Sequence, residues 1–503
     1  MKKYISIITV VFTIGIAGCK KDFLSQEVNP NQPSVTTPQY TLSGALATSA
    51  AIIVNDYPYY GVWDGYWCNA NDYVPNPQLA EFAISITQQP GPDAWNDLYT
   101  NLTNFNNLQT LSASVPADAN FQAIAMIMKA YDFEELVDNF NDVPYSQAFQ
   151  PSTILFPGYD SGQSIYNDLV KQLDAAIALI NKSGGATLPG TSDVFYGSNT
   201  GTEMTNWKKF ANTLKLRLAI RQSNLSTNTA QADLASTAAE GYIDANSEAD
   251  CQPGYSDALG KENPFYGSYG FDQNGNPTGG YLYYQANVVA VNMLTSLNDP
   301  RLTLYYAPVA GASGNGILAD QLGNVKNNPQ VASSIGPGLL KSPAQNAVVF
   351  SSYEGLFLQS EALARGWITG SAASFSTAAA CYNAAISASF NEVGVKAGSD
   401  AAYEAQTSVA YPTGGTLAQQ VQAIVTQKYL SLNGYFNLEA YNEFRRTGYP
   451  ALPQNPASAD VAALSQTLPV RIPYPYEELT TNGTNLTKEG TINVFTSKIF
   501  WAK

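Results

Sequence analysis

Five carboxylates crowd one short stretch: Asp132, Glu134, Glu135, Asp138 and Asp142. Two carboxylic acids flanking a sugar are the machinery of glycoside hydrolysis, one as acid and the other as base or nucleophile. The same residues on a helical run also make an ordinary solvated face, and that is the reading we adopt for them. No histidine occurs in the 503 residues. Its absence removes Ser-His-Asp and Cys-His catalysis, histidine acid–base steps and His-based metal sites. Cys68, Cys251 and Cys381 stand far apart without CxxC spacing, which argues against a zinc or redox motif and allows at most one disulfide among them. The stretch DQNGNPTGGY from Asp272 places oxygens like a calcium loop, but Pro277 stands where glycine is required and Tyr283 where the closing Glu belongs. It reads as a turn at Asn274-Gly275. GPGLLKS at Gly336–Ser342 lacks the glycine before lysine that a phosphate loop needs. The expectation is a chain with no catalytic residue, metal or cofactor.

Aromatic rings remain as recognition groups. The stretch YPYYGVWDGYWCNANDY, Tyr57–Tyr73, is far richer in rings than the chain average of 12%. Tyr59, Trp63 and Tyr66 recur at helical spacing, and a ring stripe at that spacing is a core signal. Trp67 and Tyr73 lie at the end of the pattern among Asn69, Asn71 and Asp72, where stacking on a ligand and packing in a core are equally open. Asn263–Tyr284 carries Phe265, Tyr266, Tyr269, Phe271, Tyr281, Tyr283 and Tyr284 on a glycine-rich background without any period. Ring faces on such a loop stack on the C–H faces of sugars or on other flat ligands; otherwise they pin the loop to the body. The candidate ligand residues are therefore Trp67, Asn69, Tyr73, Tyr266, Tyr269 and Tyr283.

The elements that must position these groups are helical. Apolar residues recur at three and four over Phe121–Val137, Ile165–Ile180, Trp207–Arg221 and Tyr353–Trp367. Val421–Phe444 reads as two helices broken near Asn433-Gly434. Long runs of period two are absent, so strands are minor. EGLFLQSEALARGW followed by FSTAAACYNAAISAS resembles a tetratricopeptide helix pair, with Tyr382 and Ile386 filling the gap. Such pairs bury a face only by stacking on neighbours. Long irregular loops separate the helical blocks, and no composition shift marks a second domain.

At the start, Lys2 and Lys3 precede an apolar run that is too short to span hydrocarbon, which takes about 20 residues. The run closes on Ile16-Ala17-Gly18-Cys19, which looks like a bacterial lipobox with lipid on the Cys19 sulfur. This implies a signal peptide over 1–18, a lipid-anchored tether over 19–40 and a folded body over 41–503. The formal charge is −15 and becomes two units more negative once Lys2 and Lys3 are removed. That excess argues against nucleic acid and against docking on anionic lipid.

Several stretches in order along the chain resemble the SusD/RagB family of nutrient-binding outer-membrane lipoproteins. They are the lipobox, NPNQPS at Asn29–Ser34, LVDNFNDVPYSQAF at Leu136–Phe149, NDPRL at Asn298–Leu302, QKYLSLNGYFNLEAYNEFRRTGYPAL at Gln427–Leu452 and LPVRIPYPYEEL at Leu468–Leu479. The resemblance implies an all-α fold, with tetratricopeptide-like helix pairs in a right-handed superhelical scaffold, long loops and minor β. It also implies a surface lid that captures a nutrient, oligosaccharide or peptide, for a SusC-like TonB-dependent transporter. Two readings from other classes stay open at this point: a lipid-anchored glycoside hydrolase, and a helical scaffold binding only protein. Arg445, Arg446 and Arg301 are expected to be structural charges, and Gly448 a left-handed helix cap.

Overall fold

The computed structural model describes residues 36–55, 57–70, 94–150, 152–197, 201–321, 332–452 and 468–503. Cys19, Tyr73, the apolar leader and the NPNQPS stretch lie outside the described residues. The first described helix, α1, is Pro38–Asn55. It is followed by the short α2, Pro58–Trp63, then α3, Ala94–Ala113, α4, Ala119–Phe140, α5, Gly162–Lys182, and α6, Thr202–Arg221. These pack in sequence, α1 on α3, α3 on α4, α4 on α5 and α5 on α6. The fold is all-α with helix pairs of the tetratricopeptide kind.

The second half repeats the plan after a long connection that holds the one-turn helices α7, Pro264–Tyr269, and α8, Gly279–Tyr283, and the helix α9, Val288–Ser296. Helices α10, Ser352–Ala364, and α11, Ala378–Val393, form the expected pair. Tyr382 and Ile386 fill its interior, and Phe357 meets Tyr382 with ring centroids 6.1 Å apart. Helices α12, Leu417–Leu432, and α13, Asn437–Thr447, are the two halves of the broken region, and the chain turns between them at Gly434. Thr416 and Gln419 form a reciprocal capping box at the start of α12. Gly448 closes α13 at φ +80°, the left-handed cap read from the sequence.

Strands are few and short. β1, Trp67–Asn69, pairs antiparallel with β3, Tyr284–Ala286, in the register Trp67 with Ala286 and Asn69 with Tyr284. β2, Ala249–Cys251, pairs with β4, Ala347–Phe350. Buried apolar residues from Leu42 to Trp501 form one continuous core. Cys68, Cys251 and Cys381 are buried free thiols.

One expectation fails at the centre of that core. Helix α4 is buried on nearly every side, not along one stripe, and its carboxylates point inward. Asp132, Glu134, Glu135 and Asp138 form no solvated face; Glu134 is 0% exposed. Cations from distant helices make this possible. Arg217 on α6 binds Glu134 with Nη2–Oε2 at 2.6 Å, Arg221 binds Glu439 at 2.7 Å and Asp138 at 3.2 Å, and Lys428 binds Glu443 at 2.9 Å. Arg446 joins Glu361, at 2.7 Å, to Glu443. Arg445 donates to the carbonyls of Asp138 and Val470. A charge left unpaired there would cost several kcal/mol, on the order of 3–5, so the helices that carry the partners must close together. Arg301 is likewise structural: it grips Asp299 through two nitrogens, at 2.6 and 3.0 Å, and donates to Ser389 on α11 and Ser431 on α12.

Candidate ligand-binding site

The aromatic stretch around 263–284 is held as a folded wall. Asn263 caps α7 by accepting the Tyr266 N–H at 3.0 Å, and its amide also donates to the Gln345 carbonyl. Thr278 caps α8 and ties the two short helices together, its hydroxyl within 2.9 Å of the Ser268 carbonyl and 3.1 Å of that of Gly270. A Cβ at Gly280 would sit 2.3 Å from the Ser268 carbonyl oxygen, so only glycine permits this close approach. Between the helices, Asp272 accepts the N–H groups of Asn274 and Asn276, each at 2.8 Å, which closes the turn at Asn274-Gly275. The calcium-like spacing is thus spent on a turn. Among the described residues no cluster of His, Cys, Asp and Glu is built to hold a metal ion.

The rings form two layers. In the inner layer Trp67 is 1% exposed and packs against Tyr269, centroids 5.4 Å apart, and Tyr284, at 5.1 Å. Tyr269 is buried and its hydroxyl donates to the Val54 carbonyl. Phe265 fills the gap between Tyr269 and Tyr435. The outer layer is half-buried: Tyr266, Phe271 and Tyr281 run in contact, and Tyr283 stands edge-on to Tyr284 at 4.9 Å. The rings named from sequence are thus divided between the two layers. Trp67 and Tyr269 offer no free face; burial between other rings makes them the support. Tyr266 and Tyr283 are the members with accessible ring surface. Phe271 and Tyr281 complete the surface, and nothing in their sequence setting separates them from loop-pinning rings.

Beside this wall, on β1, polar side-chain atoms lack partners among the described residues. Asn69 is 9% exposed and neither atom of its amide finds a hydrogen-bond partner among the described residues. The indole N–H of Trp67 is also unpaired, and residues i and i+2 of a strand share a face, so both groups lie on the same side of β1. In the preceding turn the Trp63 indole N–H and both carboxyl oxygens of Asp64 also have no hydrogen-bond partner among the described residues. Burial raises the Asp64 carboxyl well above its ordinary value, and Arg445 opposes that shift. An unsatisfied buried polar group costs about 1–3 kcal/mol, and native structures tolerate few of them. Of these, only Trp67 and Asn69 lie on β1, the strand that pairs with Tyr284–Ala286, while Trp63 packs on Tyr59, Tyr60 and Tyr441 in the core.

The carboxylate row does not make a second, catalytic centre. Glu134 and Asp138 are ion-paired inside the core, Asp132 and Glu135 accept hydrogen bonds from Asn101 and Tyr57, and burial pushes Glu134 up to about 8 and Glu135 to about 7. Burial also works against ionised Glu439, but Arg217, Arg221 and Lys428 outweigh it and hold that carboxyl at about 2.

The structure is an all-helical scaffold with an aromatic wall built on α7, α8 and the β1–β3 pair. The profile of the SusD-like family, described as "starch-binding associating with outer membrane", matches residues 30–475, and the chain belongs to that family. Comparison with curated proteins finds no match. Among solved structures, a SusD homolog from Bacteroides uniformis superposes with a TM-score of 0.73 at 22% identity, over 92% of this chain and 99% of the other. A chitin-binding protein aligns at 25% identity and TM-score 0.71, over 93% of this chain and all of its own. A chitin-binding SusD homolog from Flavobacterium johnsoniae gives 21% identity and TM-score 0.72, over 92% of this chain and 98% of its own. The family associates with the outer membrane, and no described helix is long and apolar enough to cross one.

Proposed function

We propose that this chain is a lipid-anchored protein of the outer cell surface that captures an oligosaccharide on the wall formed by Tyr266, Phe271, Tyr281 and Tyr283 and passes it to a SusC-like TonB-dependent transporter. One observation carries the siting: Asn69, whose amide has no partner among the described residues, stands opposite Tyr284 on β3, next in the chain to half-buried Tyr283. A sugar presents C–H faces to rings and hydroxyls to amides, and both complements occur here together. Each stacked ring contributes on the order of 1 kcal/mol beyond its buried area. Two or three rings thus give weak capture, which suits a protein that must release its cargo. Anchoring through Cys19 accounts for membrane association without a spanning helix, since several buried acyl chains hold a protein at a bilayer essentially permanently.

The experiment is binding of a panel of neutral oligosaccharides and peptides to the purified chain and to Tyr266→Ala and Tyr283→Ala. We expect an oligosaccharide to bind, and each variant to weaken it about fivefold, the equivalent of about 1 kcal/mol, with melting nearly unchanged. A peptide bound in preference to every sugar contradicts the substrate class. Unchanged sugar affinity in both variants contradicts the site.

A further inference from the structure

Away from the aromatic wall, a second cleft opens between α3, α4 and the turn after Pro144. Two adjoining cavities of about 430 and about 240 Å³ share Asn106, Ala148 and Phe149 on their walls. Lys129 of α4 reaches the smaller one. Its ammonium donates to the Asn106 and Gln109 side-chain oxygens, both at 2.9 Å, and lies 5.5 Å from the centre of the Phe149 ring. An ammonium has three donors, and the third finds no acceptor among the described residues.

This lysine is unlike the others. Lys208, Lys209, Lys215 and Lys428, the other described lysines shielded from solvent, each face a carboxylate. Lys129 faces only amides and a ring. Burial lowers its pKa to about 8, as expected of a cation lacking its anion. The nearby carboxylates are otherwise engaged: Asp168 accepts from the Tyr145 hydroxyl at 2.7 Å and from Gln172, and Glu478, on the larger cavity, accepts from Tyr159 and Asn482. Phe149 is held at φ +59°, in the left-handed region that bulky residues avoid. Strain of this kind collects at ligand sites, and here it keeps the ring beside the ammonium. The larger cavity supplies Trp95, Tyr99 and Ile154 as apolar wall.

We propose that this cleft is a second ligand site, sharing no residue with the aromatic wall, for a molecule that carries a carboxylate. The carboxylate takes the free N–H of Lys129 and the body of the molecule lies along Trp95 and Tyr99. Such a group is supplied by a uronic acid in an acidic oligosaccharide or by the free C-terminus of a short peptide. The overall charge of −15 repels anions at long range, but that field is screened beyond about 8 Å at physiological salt. Contact at Lys129 decides the affinity.

The test is calorimetry with cellobiouronic acid against cellobiose, and with acetyl-dialanine bearing a free against an amidated C-terminus. We expect the acid member of one pair to bind at least tenfold tighter than its neutral twin, the pair identifying the source. Lys129→Met should abolish that preference and leave the neutral twin unaffected. On the unmodified chain, the acid should also shield Lys129 from amine acylation read by mass spectrometry, which keeps the test valid if the variant misfolds. Equal binding of acid and neutral twins, no binding of any acid at millimolar concentration, or a preference that survives Lys129→Met overturns the proposal. None of these outcomes bears on neutral sugars at Tyr266 and Tyr283.

Discussion

The core around α4 and the wall around β1 solve burial in opposite ways. The core holds many charges, and nearly all of them are matched: Arg217 to Glu134, Arg221 to Glu439 and Asp138, Lys428 and Arg446 to Glu443. The wall rests on β1, where the Asn69 amide finds no hydrogen-bond partner among the described residues. Matched charges lock helices from distant parts of the chain into one geometry, since any displacement strands an ion in low dielectric. Unmatched polar groups do the reverse: they cost stability and gain only when something binds. Stability and recognition are therefore placed in different regions, and substitutions should separate them.

The largest effect should come from breaking a matched charge. Arg221→Ala takes the nearest cation from ionised Glu439 and should cost about 3–5 kcal/mol, read as a fall in the denaturation midpoint, with sugar affinity of the folded fraction unchanged. The same core sets two pH limbs. Glu439 is held at about 2, below its ordinary 4.5, so its contribution is present above pH 4.5 and is lost as pH falls toward 2. Glu134 is pushed up to about 8, so its contribution is present below pH 4.5 and is lost as pH rises through 8. Melting measured across pH should decline on both sides, and a flat profile would break the comparison.

Trp67→Ala comes next. Because the indole supports the wall and does not face solvent, the variant should lose about 3–5 kcal/mol through a cavity and bind normally once folded. A loss of affinity with unchanged melting would return Trp67 to the ligand surface. Gly448→Val is milder: the cap has open space around it, the nearest atom for a Cβ being Lys503 Nζ at 4.0 Å, so only the φ of +80° is strained. A loss of about 1 kcal/mol is expected, with no change in binding.

The two regions also differ in how far the sequence reveals them. Local signals locate the helices: the apolar spacing of α5, the break at Asn433-Gly434 and the cap at Gly448 all appear in the structure. The inward turn of Glu134 and Glu135 does not show, because apolar periodicity describes a helix with one wet face, and α4 has almost none. The partners that pair its acids lie far along the chain, and spacing carries no record of them. The wall is half legible. Ring density marks 57–73 and 263–284, but only the pairing of β1 with β3 decides which rings go inward. The Lys129 cleft is not legible at all, since it depends on Asn106 and Gln109 arriving from α3 and on one left-handed residue.

Asn69→Ala tests the central claim most directly, because removing an unpaired buried amide separates function from stability. We expect melting to hold or rise slightly, since the desolvation cost of the amide disappears, and oligosaccharide affinity to fall about fivefold or more, consistent with one lost hydrogen bond of about 1 kcal/mol. Affinity equal to that of the unsubstituted chain would contradict the placement of recognition at this wall.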